Sequence, residues 1–490
     1  MNHLLLIVPI LLPLLAAAGH AIWWRTSGAF HAGTLLAALT LADAVALAVA
    51  VSRTGPVSML GGLLRADALT AWMLLVVAAV GLLACWASPS YLVAAHEGAR
   101  RSRWYGILLQ SFLATMIIAV LAGNLGVLWV AVEATTIVTA FLVGHHRTKT
   151  ALEAAWKYVV ICSAAIAIAF LGVVLLSYAV RHAGLVGTGA LDWASLTAHA
   201  SDLDPAVTRI AIGLAVLGFG AKAGLVPLHA WLPDAHSQAP APVSGLMSGV
   251  LLSVAFYAVL RLKVIADVAL GPAFLRTLLL ILALATLALA ALLLLGQRDY
   301  KRMLAYSSME HMGLIALGAG VGSQLAVAAV LLHVAGHGLA KTTAFLGSGH
   351  ILHRHGSTEI SAVRGLGAQA PLLAFTFGVA VLALLGFPPA AVFASEVGLA
   401  RAGAAAGLGW AIAAGYLLAL VAFVAIAART GRMLLGNPAD PDADGPAPAR
   451  FTTGAAAPLL AGLAAVTVLG VTTGPLSTLL TTAASIVGAP

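Results

Sequence analysis

Charged side chains are scarce in this sequence, since Asp, Glu, Lys and Arg supply only 9% of its 490 residues. A soluble domain carries about 25%, so a water-soluble globular class is excluded. Hydrophobic residues make up 61%, which predicts an all-α polytopic membrane protein. The formal net charge of +8 comes from basic residues scattered singly between apolar segments, a pattern that argues against nucleic-acid binding.

Cysteine is nearly absent as well. Cys85 and Cys162 both fall inside apolar segments, so neither a disulfide framework nor a CxxC motif is available. The sequence also lacks a P-loop, a Rossmann glycine fingerprint, a CxxCH haem attachment and the cysteines of an iron–sulfur cluster. We therefore expect no cofactor and no bound metal, and any redox or hydrolytic chemistry would occur on another polypeptide.

Long apolar runs are what the sequence does contain, and they predict fourteen transmembrane helices. The first run resembles a signal-peptide core, but no Lys or Arg precedes it, so we interpret it as a membrane helix. Segment 433–453 is rich in Pro, Asp and Gly and predicts a loop. The predicted spans are 4–23, 30–51, 69–88, 105–121, 125–143, 154–180, 207–231, 239–262, 274–296, 303–320, 324–350, 371–399, 405–428 and 455–480.

Lys and Arg are unevenly divided between the loops that join these spans. Odd-numbered loops hold 14 of them and even-numbered loops hold 8. The positive-inside rule then predicts that odd loops are cytoplasmic and both termini lie outside, in a bacterial inner membrane. Three lysines remain, Lys157, Lys222 and Lys341, and each falls within a predicted helix.

Prolines interrupt two of the predicted spans. The seventh should break at Pro227 and Pro233, and the twelfth at Pro388-Pro389. Each is the fourth helix in a run of five, and two runs of an odd number of spans must be inverted relative to one another. We therefore predict an N-terminal part (1–122, whose fourth helix begins the first repeat), inverted repeats at 105–262 and 274–428, and a loop with a last helix at 429–490.

Ionisable residues within membrane helices are costly and usually functional. Glu133 lies among apolar residues in the fifth span, and Lys222 precedes the break in the seventh. We interpret them as a charge pair whose state can switch; the alternatives are a permanent structural pair or, for the lysine, snorkelling to the interface. Lys157, near the start of the sixth span, fits snorkelling and function equally, and Asp43 has no assigned role.

A row of titratable groups follows in the eleventh span. His333, His337 and Lys341 recur at steps of four and share one helix face. Such a row indicates a proton relay, although single histidines can be structural and His-x3-His also matches a zinc pair that here lacks an HExxH context. Further candidates for the relay are His229 in the seventh span, His311 beside Glu310 in the tenth, and Glu396 after the second break.

Five motifs, in order, carry a family resemblance: AVEATT, GFGAKAGLVPLHAWLPDAHSQAPAPVSGLMSG, KRMLAYSSMEHMG, HVAGHGLAKTTAFLGSGHI and GFPPAAVFASE. The chain resembles the antiporter-like subunits of respiratory complex I, Mrp cation/proton antiporters and membrane-bound hydrogenases, and most of all the hydrogenase-4 component F type. The resemblance covers about 123–399. It implies that Glu133 and Lys222 form the ion pair that drives proton transfer, with the histidines, Lys341 and Glu396 continuing a polar axis.

One departure from the family pattern bears on the mechanism. Many members carry a lysine in the eighth helix, where this chain has Ser253 near the expected position. The leading hypothesis is a proton-translocating membrane subunit of a redox-driven complex, with other membrane subunits and a peripheral enzyme arm as partners. The alternatives are an Mrp-type cation/proton antiporter module, or a membrane platform for a soluble enzyme partner without net pumping, which the Ser253 departure supports.

Overall fold

The computed structural model describes residues 3–22, 28–185, 187, 189–435 and 451–488. These residues form a bundle of helices with one small hairpin, so the all-α prediction is confirmed. Twelve of the described helical stretches are long and apolar enough to cross a membrane. The protein is therefore a multi-pass membrane protein, while fourteen as the number of spans stays a prediction. Most of the predicted loop 433–453 lies outside the described residues.

Every predicted span contains at least one observed helix, and two short strands, β1 (Val57–Met59) and β2 (Leu64–Ala66), form an antiparallel hairpin that the sequence patterns did not predict. A π-helical turn, Met247–Leu251, joins the helix Ala241–Leu246 to the helix Leu252–Leu270. Single 3₁₀ turns occur at Leu60–Gly62, Ala200–Asp202, Ile360–Ala362 and Gly474–Leu476. The α-helices are α1 (Leu4–Ile22), α2 (Gly28–Thr54), α3 (Ala68–Ala94), α4 (Ala99–Leu121), α5 (Leu125–Val143), α6 (Lys149–His182), α7 (Trp193–Ala198), α8 (Pro205–Lys222), α9 (Trp231–Gln238), α10 (Ala241–Leu246), α11 (Leu252–Leu270), α12 (Pro272–Leu295), α13 (Tyr300–Val321), α14 (Gln324–His355), α15 (Leu366–Gln369), α16 (Pro371–Leu384), α17 (Ala391–Ala405), α18 (Gly409–Leu435), α19 (Thr453–Val471) and α20 (Ser477–Val487).

The loops gather at two ends of the bundle according to their order. At one end the fourth and sixth loops meet, where Asn124 Nδ2 donates a hydrogen bond to Asp192 Oδ1 at 2.7 Å. At the other end the seventh loop meets the start of α13, where Lys301 Nζ donates to Ala239 O at 2.8 Å. An even-numbered loop therefore contacts another even-numbered loop, and Lys301, which the sequence places in the ninth loop, contacts the seventh.

A buried ion pair holds the hairpin end of the bundle together. Asp67 caps α3 by accepting a hydrogen bond from Thr70 N at 3.0 Å, and both terminal nitrogens of Arg261 on α11 donate to its carboxylate at 2.7 Å. Burial alone would raise the pKa of Asp67, but the charge and hydrogen bonds of Arg261 outweigh it and lower that pKa to about 2. The pair is thus ionised throughout the physiological range.

The seventh predicted span is discontinuous, as expected. It consists of α8 and α9, separated by the non-helical segment 223–230, where Gly224 adopts φ +85°, a conformation that a side chain rarely tolerates. Pro227 lies in this segment, whereas Pro233 lies inside the first turn of α9, where a proline is tolerated, so the expected second break is wrong. Lys222 is the last residue of α8, where the helix dipole favours a cation.

The twelfth predicted span is broken in the same way. It consists of α16 and α17, separated by residues 385–390, and this gap contains Pro388-Pro389. Gly386 adopts φ +68° immediately after α16, just as Gly224 follows α8. Both breaks therefore end a helix through a left-handed glycine two or three residues before the prolines.

Close packing of α6 on α8 fixes the position of Lys222. A Cβ added at Gly218 would lie 2.4 Å from Ala165 O, and one at Gly172 would lie 2.6 Å from Ala211 O. Small residues at both crossings let the two helix backbones approach closely. The end of α8 is consequently held against the side chains of α5 and α6.

Three helical stretches form the protein's interior. Residues 241–263 and 329–349 are all buried, and α13 has Arg302 as its one residue that is not buried. These stretches carry four of the eight predicted site residues, namely His311, His333, His337 and Lys341. They are shielded from lipid by the outer helices, so their polar side chains can be retained at bilayer depth.

Candidate functional site

Lys222 lies fully buried at the end of α8 and contacts two hydroxyl groups. Its Nζ donates hydrogen bonds to Thr136 Oγ1 and to Tyr158 OH, both at 2.7 Å. The ammonium also lies 4.7 Å from the centroid of the Tyr158 ring, a distance at which cation–π attraction operates. A buried cation without a carboxylate in contact is therefore stabilised by two hydroxyl dipoles and an aromatic face.

Glu133 lies one helical turn before Thr136 on α5 and is half-buried. Its carboxylate accepts hydrogen bonds from Ser163 Oγ at 2.8 Å and from Thr136 Oγ1 at 3.2 Å. Within the described ranges, no lysine or arginine nitrogen lies within 4.0 Å of this carboxylate, so the expected pair is indirect. The Thr136 hydroxyl joins the two groups, accepting from Lys222 and donating to Glu133.

His236 on α9 lies between Lys222 and Lys341. It is fully buried, and neither ring nitrogen has a hydrogen-bond partner in the part of the chain that the structure describes. Its ring lies 5.8 Å from that of Trp231, whose centroid is 6.0 Å from Lys222 Nζ. On the other side it lies 6.0 Å from Phe345 and is close enough to interact electrostatically with Lys341.

Lys341 is the second fully buried lysine, and it also binds hydroxyl and carbonyl groups. Its Nζ donates to Ser307 Oγ in a short hydrogen bond and to Leu304 O at 3.2 Å. Glu310, one turn further along α13, is near enough to interact with this charge. Both lysines thus lie in polar cradles built from neighbouring helices.

Ser253 is buried on α11, and its hydroxyl has no hydrogen-bond partner among the described residues. Five residues earlier, Ser248 in the π-helical turn shares a 2.6 Å hydrogen bond with Ser308 of α13. Neither serine titrates at physiological pH, so a titratable group for the centre of the bundle must come from another element. His236 is the buried group that α9 supplies there.

Three of the four predicted relay histidines lie together. His311 Nδ1 lies 3.0 Å from His333 Nε2, and the rings of His311 and His337 have centroids 4.8 Å apart. His333 Nδ1 continues the line to Ser395 Oγ at 2.9 Å. His337, whose ring nitrogens have no partner among the described residues, lies one turn from Lys341.

Glu396 follows Ser395 on α17 and lies beside the second break. A Cβ placed on Gly386 would be 2.4 Å from its Oε2, so the carboxylate occupies the space that a side chain would fill there. Tyr416 OH donates a short hydrogen bond to the Glu396 carbonyl and fixes this part of α17. The carboxylate at this end resembles Glu133 in being half-buried.

The polar groups that run from Glu133 to Glu396 through Lys222, His236, Lys341 and the three histidines are called the line below. Two sequence candidates lie apart from this line. His229 is half-buried in the break after α8, and its Nδ1 lies 3.1 Å from Pro227 O. Lys157 is 46% exposed and pairs with Glu153 at 2.6 Å and Asp234 at 3.1 Å. It is therefore a surface lysine rather than one of three buried ones, because α6 extends beyond the predicted span towards the loop end.

The sequence patterns do not identify several residues that the structure places along the line. They are hydroxyl-bearing residues, whose importance shows only in their contacts, and one buried histidine. Within the described residues, no group of three or more His, Cys, Asp or Glu side chains has a metal-binding arrangement. The missed residues are Thr136, Tyr158, Ser163, His236, Ser307 and Ser395.

Comparison with known proteins adds independent findings. Residues 122–422 match the family described as NADH:quinone oxidoreductase/Mrp antiporter, transmembrane. Over 296 residues the chain is 40% identical to a hydrogenase-4 component F homolog of Methylacidiphilum infernorum, an alignment covering 60% of this chain and 62% of that relative. It is 33% identical over 411 residues to NADH-quinone oxidoreductase subunit N of Desulforudis audaxviator, covering 80% and 79%.

A solved structure agrees over nearly the whole chain. A subunit of the membrane-bound sulfane sulfur reductase, an archaeal respiratory membrane complex, superposes with a TM-score of 0.86 at 28% identity, covering 99% of this chain and 97% of that one. The matched family region contains the line from Glu133 to Glu396 in full.

Proposed function

Because the chain belongs to the NADH:quinone oxidoreductase/Mrp antiporter transmembrane family, we propose that it translocates protons as one membrane subunit of a multisubunit, redox-driven complex. One observation carries the proposal above all. Lys222 is fully buried, ends a broken helix, and is joined to the Glu133 carboxylate through the single hydroxyl of Thr136. This arrangement ties the charge of a buried lysine to the state of a carboxylate near the protein surface.

Glu133 and Lys222 act as the input switch in this proposal. Negative charge on Glu133 stabilises the ammonium of Lys222, and neutralising or withdrawing that charge weakens the hold of the lysine on its proton. Each tenfold change in proton affinity corresponds to about 1.36 kcal/mol. A change of a few kcal/mol in one buried interaction is therefore enough to release a proton from the lysine.

The released proton passes to Lys341 through His236 in the proposed path. The break after α8 follows Lys222 directly and leads to α9, which carries His236. Both ring nitrogens of His236 are available, so it can accept a proton on one side and donate one on the other. The path then runs through His337, His311 and His333 to Ser395 and the terminal carboxylate of Glu396. His229, in the break itself, is proposed as the group that admits protons to it.

The surroundings of the chain follow from the same proposal. We place it in a bacterial inner membrane with odd loops cytoplasmic and both termini outside, as the distribution of Lys and Arg favours. The matching breaks after α8 and α16 support two inverted five-helix repeats. Other membrane subunits and a peripheral enzyme arm are the proposed partners, and the arm would carry the redox centres.

Replacing Lys222 by Met tests the proposal. The variant should assemble normally but lose coupled pumping, because methionine preserves the volume and removes the proton carrier. Proton uptake is measured with a ΔpH-sensitive dye in inside-out vesicles of the host, energised by its own electron donor, and assembly is measured by native gel. Lys157→Met, which removes an equal charge from the surface, is the control. Normal pumping by the Lys222 variant would refute the proposal.

The second candidate is an Mrp-type cation/proton antiporter module, which the family description includes. It predicts proton movement that requires sodium and needs no electron donor. Imposing a sodium gradient on the same vesicles without donor distinguishes the two functions, since only the antiporter then moves protons.

A further inference from the structure

A large groove opens at the odd-loop end of the bundle, between α4, the end of α5 and the start of α6. Its volume of about 1490 Å³ exceeds the roughly 300–1,000 Å³ of sites for small ligands. None of the groups in the proposed proton path lines it. The groove is therefore separate from that path, and its lining indicates the chemistry of a ligand that would fit it.

The rim of the groove at the odd-loop end of the bundle is basic. Arg100 and Arg101 begin α4, Arg147 lies in the turn after α5, and all three are exposed. Arg101 lies 3.9 Å from Glu97, whereas neither Arg100 nor Arg147 has a carboxylate within 4.0 Å in the described ranges. The rim thus presents more positive charge than the protein neutralises.

Two partly buried histidines beside the rim, His145 and His146, do not change this balance. His145 lines the groove and His146 follows it, both within 4 Å of the Glu97 carboxylate. Burial, with the nearby charges of Arg101 and Arg147, lowers the pKa of His145 to about 4, and burial, with neighbouring His145, lowers that of His146 to about 4. Both rings are neutral at pH 7, so three arginines and one glutamate leave the rim with a charge of about +2.

The walls below the rim are apolar and face outward. Trp104 is 51% exposed, Phe141 65% and Trp156 70%, and Leu108 and Val159 continue the apolar surface towards the middle of the membrane. Tryptophan at the junction of a charged rim and an apolar wall is typical of the headgroup level of a bilayer. The groove is thus cationic at its rim and apolar along its walls.

From this arrangement we propose that the groove is a specific binding site for an anionic phospholipid of the leaflet that the odd loops face. The phosphate lies between Arg100, Arg101 and Arg147, and the acyl chains lie along Trp104, Phe141 and Trp156. Basic pockets between membrane helices bind acidic headgroups in this way, and arginine holds a phosphate by two parallel hydrogen bonds. A zwitterionic lipid would place its own cationic group against the arginine rim, so charge complementarity selects the anionic class.

Native mass spectrometry of the full chain in detergent tests the proposal, with dioleoyl-phosphatidylglycerol and dioleoyl-phosphatidylcholine added in parallel. Wild type should retain the first and not the second. Each arginine near a lipid headgroup is worth about fivefold in affinity, so the triple variant R100Q/R101Q/R147Q should bind phosphatidylglycerol about a hundredfold more weakly. The single R147Q variant should bind phosphatidylglycerol about fivefold more weakly. This variant keeps the test valid if the triple variant misfolds.

The matched control removes three exposed arginines of the odd loops that lie away from the groove, through R298Q/R364Q/R432Q. It changes the net charge equally and should leave binding at the wild-type level. Equal binding of the two lipids, or equal losses in the two triple variants, would overturn the proposal. So would a photo-crosslinking residue at position 156 that attaches to a neighbouring protein subunit in native membranes instead of to lipid.

Discussion

Replacing Thr136 by Val removes the one hydroxyl that joins the Glu133 carboxylate to the Lys222 ammonium. Valine has nearly the same shape as threonine, so the packing of α5 against α6 and α8 should persist. The variant deletes the 2.7 Å hydrogen bond from Lys222 and the 3.2 Å hydrogen bond to Glu133. Lys222 then keeps Tyr158 as its hydrogen-bond partner, and the two charges lose their connection through protein atoms.

The size of the effect follows from these two contacts. A hydrogen bond to a charged group contributes about 1.5–3 kcal/mol, and a loss of that size in the barrier slows proton transfer about 10- to 150-fold. We therefore expect Thr136→Val vesicles to accumulate protons at least tenfold more slowly than wild type at equal electron-donor turnover. The assay follows ΔpH-sensitive dye fluorescence and donor oxidation in the same sample.

Two matched variants distinguish loss of the Thr136 hydroxyl from a general disturbance of the structure. Thr136→Ser keeps a hydroxyl and should pump nearly as wild type does. Thr135→Val removes the adjacent hydroxyl, which donates to Val132 O within its own helix, and should also pump normally. Wild-type pumping by Thr136→Val in a fully assembled complex would show that the hydroxyl does not couple the pair.

Three further predictions test the centre, the packing and the hairpin end. His236→Phe should reduce pumping at least tenfold because it removes the titratable group between the two buried lysines, whereas His350→Phe, near the loop end of α14, should not; equal rates in both would remove His236 from the path. Gly218→Val should abolish accumulation of the protein, since its Cβ would lie 2.4 Å from a backbone oxygen of α6, whereas Gly213→Val, whose Cβ meets only one atom at 4.0 Å, should accumulate normally on immunoblots. Asp67→Asn should destabilise the purified protein by about 3–5 kcal/mol by leaving its arginine partner buried and unpaired, measured as a lower Tm. Because the pKa of Asp67 is lowered to about 2 on folding, its contribution is complete above about pH 4 and is lost as the pH falls towards 2; the wild-type Tm should fall in that window more steeply than that of the variant.

The membrane architecture could be predicted because lipid imposes a strong rule on sequence. Each apolar run of about 20 residues contains an observed helix, and the runs that contain Pro227 and Pro388-Pro389 are broken there, whereas Pro9 and Pro13 lie within the continuous helix α1. Pro233 shows where the rule ends, since a proline in the first turn of a helix costs no hydrogen bond, and only the observed helix start at Trp231 shows that it occupies such a place.

The site could be predicted only where a residue is conspicuous by itself. A lysine or glutamate in an apolar run is unusual enough to be noticed, so Glu133, Lys222 and Lys341 could be identified. Thr136 and Tyr158 could not, because their importance depends on contact with Lys222, which lies 86 and 64 residues away in the chain. The indirect connection of Glu133 to Lys222 was unpredictable for the same reason.

The central position of α13 has a consequence for how the chain enters the membrane. Among the described helices of at least 18 residues, Tyr300–Val321 is the one that is not apolar enough to count as a candidate span, although nearly all of it is buried in the bundle. Hydrophobic partitioning therefore provides little driving force for its insertion. Its entry into the bilayer should depend on its apolar neighbour α12 and on α14, with Lys301, Glu310 and His311 leaving lipid as the bundle closes. A biogenesis defect is thus expected when these helices are made as separate fragments, even if every residue of the proton path is intact.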